Sequence, residues 1–81
     1  MKFLIVDRYP ETDYYIINSD EVDYFIIESL VELEIGSYII GSVEHELFFS
    51  LDGEELTIEN FEETGTIQNS IRILRSYFEQ E

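Results

Sequence analysis

Between Tyr9 and Ile71 the chain contains no Lys or Arg. The full sequence sets nineteen acids against four bases, a net charge of −15 over 81 residues. Leaving aside Asp7, Glu79 and Glu81 puts sixteen acids inside the cation-free run. Lys2, Arg8, Arg72 and Arg75 all lie near the termini, so few of those acids can be quenched by ion pairs close in sequence. Charge of this size and sign opposes compaction by self-repulsion. It repels nucleic acid and anionic membranes, and it attracts basic surfaces. Such a chain folds only if apolar burial outweighs the repulsion.

The apolar material is present: 44% of residues are hydrophobic, with six Phe and six Tyr. Disorder requires low hydrophobicity as well as high charge, so a single globular domain over residues 1–81 is expected, near the lower size limit for an independent core. Without Cys there is no disulfide, no thiolate chemistry and no Cys-type zinc site. The first apolar stretch, Phe3–Val6, is four residues long. No stretch reaches the roughly 7–15 residues of a signal peptide or the roughly 20 of a membrane helix. A soluble, intracellular protein that does not enter membranes is the expectation. Solubility alone needs a net charge of only about 2–8 in a small domain; the excess points to a partner.

Residues 3–6 read as a strand buried on both faces and central in its sheet. Pro10–Asp13 is a turn, and Tyr14–Asn18 is a second strand by its aromatic and β-branched content. Residues 20–35 carry two patterns. Ser19 followed by Asp20 and Glu21 makes a helix start. Phe25, Ile26, Leu30 and Leu33 then share a helical stripe, with Glu21, Glu28 and Glu32 opposite. Val31–Ile35 alternates instead, as a half-buried strand does. The helical pattern, over residues 20–31, is preferred.

Beyond Gly36, Tyr38–Ile40 and Leu47–Leu51 read as strands, and Asp52-Gly53 is a hairpin signal with Leu56–Ile58 returning. Ile67, Ile71, Leu74 and Phe78 recur on one face of a helix, with Thr64 or Thr66 available as its cap. The expected architecture is α+β: a small, mainly antiparallel sheet of four or five strands, packed by the C-terminal helix and one further helix.

Catalysis finds no constellation. His45 stands between Glu44 and Glu46 and reads as an exposed residue of a polar turn or strand. The glycines at 36, 41, 53 and 65 are too widely spaced to cradle phosphate and fit turns. An enzyme is not expected. Asp52–Glu55 and Asp20–Asp23 offer oxygens, but neither matches the spaced ligand loop of a calcium site, so no metal or cofactor is expected. Asp20-Glu-Val-Asp23 also spells a caspase-type cleavage motif, a coincidence to be expected in so acidic a chain. Direct nucleic-acid binding fails for want of cations to neutralise phosphates.

The inverse reading survives. Residues i and i+2 on a strand face lie about 6.5–7 Å apart, the same order as neighbouring phosphates along one nucleic-acid strand. Glu32/Glu34 and Glu44/Glu46 have that spacing in sequence. Asp52, Glu54 and Glu55 load the hairpin tip, and Glu62 and Glu63 run towards the last helix. These nine acids are the candidate contacts to a basic partner.

In size, charge and lack of Cys the chain resembles the phage-encoded acidic DNA-mimic inhibitors, the anti-restriction and anti-CRISPR class. The resemblance covers the whole chain as a charge pattern and rests on no alignable motif, so no residue role transfers. It implies a stoichiometric inhibitor that occupies the basic nucleic-acid-binding groove of a larger protein, such as a host defence nuclease, in the cytoplasm of a phage-infected bacterium. Two alternatives use the same electrostatics. One is an immunity- or antitoxin-like protein that caps one basic toxin or enzyme. The other is an acidic structural module, a homodimer in which Arg72 and Arg75 pair with an acidic face of the neighbouring subunit.

Overall fold

Short β-branched and aromatic runs, broken by turn residues, fold as short strands. The computed structural model describes residues 1–19 and 23–79. Its strands are β1 (Lys2–Arg8), β2 (Tyr14–Ser19), β3 (Tyr24–Ser29), β4 (Tyr38–Ser42), β5 (Leu47–Ser50), β6 (Glu55–Leu56) and β7 (Ile58–Glu63). One helix, α1 (Ile67–Phe78), follows. All seven strands form one antiparallel sheet in the order β6-β5-β4-β1-β2-β3-β7.

This corrects the expected architecture: the sheet has seven strands rather than four or five, and a single helix stands among the described residues. The helix preferred over residues 20–31 is strand β3 from Tyr24 onward, while Asp20, Glu21 and Val22 lie outside the described residues. Phe25-Ile26-Ile27 is buried throughout, because β3 lies between a core on one face and α1 on the other. A strand covered on both faces has no polar alternation to announce it. β1 is central, as expected, but its burial is one-sided: Phe3 and Ile5 are fully buried, whereas Leu4 and Val6 are half-buried.

β6 and β7 are the two halves of one bent ribbon with only Thr57 between them, yet they occupy opposite edges of the sheet. The sheet must therefore roll up. Phe3, Phe25, Phe61 and Phe48, from β1, β3, β7 and β5, close a ring inside the roll, with successive centroids 5.7, 5.2, 5.4 and 5.5 Å apart. Ile5, Tyr15, Ile17, Ile27, Ile39 and Leu56 complete this inner core. Leu33, from the β3–β4 loop, packs against it and its amide donates to the Tyr15 hydroxyl at 3.0 Å.

On the outer face, α1 lies over β2 and β3, where Leu74 meets Ile16 and Ile26. Thr66 caps the helix: its hydroxyl accepts from the Asn69 amide at 3.0 Å. The rest of the outer face, on β4 and β5, has no helix over it. No helix among the described residues is long and apolar enough to cross a membrane.

Candidate functional site

The strand directions sort the connections to two ends of the roll. At the Lys2 end of β1 lie the β4–β5 turn and the approach to α1. At the Arg8 end lie the β1–β2 turn, the β3–β4 loop and the β5–β6 turn. The acidic turns at the two ends are joined by β4 and β5, five and four residues long, which at about 3.3 Å per residue sets them roughly 15 Å apart.

The nine candidate acids divide accordingly. Glu44, Glu46 and Glu63 stand at the Lys2 end; Glu32, Glu34, Asp52 and Glu54 stand at the Arg8 end. Glu55 and Glu62 lie between. Neither Glu32/Glu34 nor Glu44/Glu46 is on a strand, which corrects the strand-spaced array expected of them. Glu32 and Glu34 belong to the β3–β4 loop, and Glu44 and Glu46 to the turn 43–46, where Glu46 adopts a left-handed φ of 53°. Glu62 and Glu63 are adjacent on β7 and point to opposite faces. The acids thus form two end clusters rather than one line.

His45 is exposed in the same turn, with its amide donating to the Ser42 hydroxyl at 3.3 Å. Of the glycines, 36, 53 and 65 adopt positive φ in connections, but Gly41 does not fit a turn: it lies within β4. Among the described residues, no group of three or more His, Asp or Glu is placed to hold a metal ion.

Sixteen acids are described, and all but Glu28 are exposed. Among the described residues one ion pair forms, Arg8 to Glu32 at 3.9 Å, with the Glu32 side chain 83% exposed. Other acids take neutral partners. The Tyr77 hydroxyl donates to Glu62 at 2.8 Å, Tyr9 donates to Glu79, and Asn60 donates to Glu28. The hydrogen bond to Glu79 and the neighbouring charge push the Tyr9 pKa above its usual value; the bond to Glu62 does the same for Tyr77. Tyr14 is raised by burial first and by the Glu28 charge second. Glu62 therefore has a use inside the fold, tying α1 to β7.

Arg8 and Arg75 line an open cleft of about 420 Å³ with Ile16, Ile71 and Leu74 at its wall. Asp7 and Glu79 line it too, one carboxylate for each guanidinium, so the cleft offers no net positive charge to an anion.

The exposed apolar residues were not singled out in the sequence. Tyr38, Ile40 and Leu47 are 38, 43 and 43% exposed on the part of the outer face that α1 leaves open. Their strands were legible, but which side of them would stay uncovered depends on where α1 docks. The chain matches no protein-family model, no curated protein and no solved structure.

Proposed function

We propose that this protein binds a basic protein surface stoichiometrically and occupies the groove in which that partner takes nucleic acid. One observation carries the reading: among the described residues a single long ion pair forms, and every acid but Glu28 is exposed, so the fold leaves nearly all of them without a cationic partner. Carboxylates in that state attract a positive cleft at long range and then neutralise its Lys and Arg side chains at contact. Two acidic ends roughly 15 Å apart suit a groove engaged along its length better than a single cationic pocket.

The test is retention of bacterial lysate proteins on the immobilised chain at low salt, followed by a salt gradient. Basic nucleic-acid-binding proteins should elute as salt rises, and duplex DNA or RNA should displace the chain from them. Reversing charges at either end, E44K/E46K or E32K/E34K, should weaken the complex at least tenfold. Partners that are neutral or acidic, or that ignore the gradient, would end this reading.

The exposed apolar residues favour a second reading, an immunity-type cap on one basic enzyme, since imitation of phosphate requires no such side chains. In that case the partner's activity is blocked without displacement of its nucleic acid.

A further inference from the structure

The outer face of the roll is divided. Over β2 and β3 it is roofed by α1. Over β4, β5 and residues 2–4 at the start of β1 it is open, and pairing places its side chains beside one another: Lys2 against Ile40, Leu4 against Tyr38, Ile40 against Phe49, Ser42 against Leu47. Ile39, Gly41 and Phe48 alternate with them and are buried, which fixes Tyr38, Ile40, Leu47 and Phe49 on the outward side. Three adjacent strands therefore present a stripe of five apolar side chains, Leu4, Tyr38, Ile40, Leu47 and Phe49, with Lys2 and Ser42 at its Lys2 end. Beside it, at the Lys2 end, an open cleft of about 470 Å³ is lined by Met1, Gly41, Ser42, Val43 and Glu44.

Acids bound this stripe on three sides. Glu44 and Glu46 stand in the turn where β5 begins, and Asp52 and Glu54 in the turn where it ends. Glu55 flanks it on β6, directly opposite Phe49 in the ladder. On the fourth side Lys2 pairs with Ile40 and lays its ammonium 4.5 Å from the centre of the Tyr38 ring, the one cation beside the stripe among the described residues. An apolar centre inside a charged rim is the anatomy of a protein–protein interface.

We infer that this face is the docking centre, and that its occupant is a basic protein that seats apolar side chains on the stripe between its own Lys and Arg residues. The inference rests on the reading that a basic partner is bound, and it specifies where and by what chemistry. Two arguments select this occupant over a second copy of the chain. The first is charge: a two-fold contact would bring the same acidic rim against itself on all three sides. The second is size. Three strands, each contributing a few residues, span on the order of 150 Å² in plan, far below the roughly 800 Å² per partner of a stable interface. The stripe can supply an anchor but not the whole contact. The remainder must fall on the carboxylates, and only a basic surface complements them. The neighbouring cleft offers room for one large apolar side chain, with Glu44 at its lip for an adjoining Lys or Arg.

The test uses the full, isotope-labelled chain and two synthetic peptides of equal positive charge: an oligolysine, and one with Leu and Trp interspersed among the lysines. Amide chemical shifts should move at Leu4, Tyr38, Ile40, Leu47 and Phe49 with the amphipathic peptide, which should bind at least tenfold more tightly than oligolysine. The variant I40T/L47T keeps strand-forming residues at exposed sites and should erase that advantage; Tyr38→Thr, tested singly, should reduce it. Shifts centred elsewhere, equal affinity for the two peptides, or indifference to both variants would overturn the docking face. A wild-type dimer in sedimentation that I40T/L47T dissolves would overturn it also, by assigning the face to a second copy. Loss of the oligolysine interaction itself would instead count against the electrostatic reading above, so the two failures are distinguishable.

Discussion

Gly41 is the residue on which the inner core turns. It sits opposite Phe48 in the β4–β5 ladder, and a Cβ built there would meet Phe48 Cδ1 at 2.3 Å and the Leu47 carbonyl oxygen at 2.8 Å. The Phe48 ring lies where a side chain would be, so glycine here serves close packing rather than backbone freedom. Phe48 in turn holds Phe3 and Phe61 across the roll. Gly41→Ala should force the ring out of place and lower stability by about 1–3 kcal/mol, read as a shift in denaturant midpoint without loss of the sheet spectrum. Tyrosine is the second residue type with an unusual load, since it partners carboxylates in a chain short of cations. Tyr9, Tyr14 and Tyr77 have pKa values raised in the fold. A phenol held more tightly protonated when folded stabilises fully below its unfolded value of about 10, and that contribution is lost as pH rises through the raised value. Native tyrosines should therefore ionise in alkali later than those of the unfolded chain, and Tyr77→Phe should remove one of the late titrations. Coincident native and unfolded titration curves would contradict this.

At the scale of elements, legibility follows the range of the interactions. Helix α1 could be read because its determinants are local: the Ile67, Ile71, Leu74, Phe78 stripe and a Thr66 hydroxyl three residues before the amide it caps. Removing that cap by Thr66→Ala should cost about 1 kcal/mol, seen as a lower melting temperature with the helix retained at 25 °C. β3 was hidden because its helical-looking stripe is decided by partners outside the segment: β2 just before it, and β7 and α1 more than 25 residues on. β7 was hidden for a different reason. The register shifts at Glu28/Ser29, where Glu28 pairs with Asn60 and Ser29 with Ile58, so Glu59 is an extra residue. Ile58 and Phe61, three apart, then pack against the same inner core and the period of two is broken. In the sequence the acids on this segment look like a run into the helix; in the fold they belong to a strand that closes the roll. The candidate site suffered likewise. Its residue types were plain in the sequence, but its division into two ends and an apolar stripe belongs to the rolled sheet, which no local pattern encodes.

For the whole molecule, the same charge acts in opposite directions on folding and on binding. Within each acidic end the carboxylates repel, and the one described ion pair, long and exposed, is worth at most about 1 kcal/mol in compensation. Salt at about 0.5 M shortens the screening length to a few ångströms, which relieves repulsion inside the compact state more than in the expanded chain. The melting temperature should rise between low salt and that concentration. In a domain this small each kcal/mol gained appears as roughly 4–8 °C, so even a modest relief is measurable. Over the same buffer series, affinity for a basic partner should fall, because the attraction across the interface is screened by the same ions. The pairing of signs is the decisive measurement. Affinity that fell because the protein was unfolding would fall together with the melting temperature, whereas free surface acids require the two to move apart. A melting temperature that drops with salt would mean that the acids hold the fold together, and their availability to a partner would be lost with it.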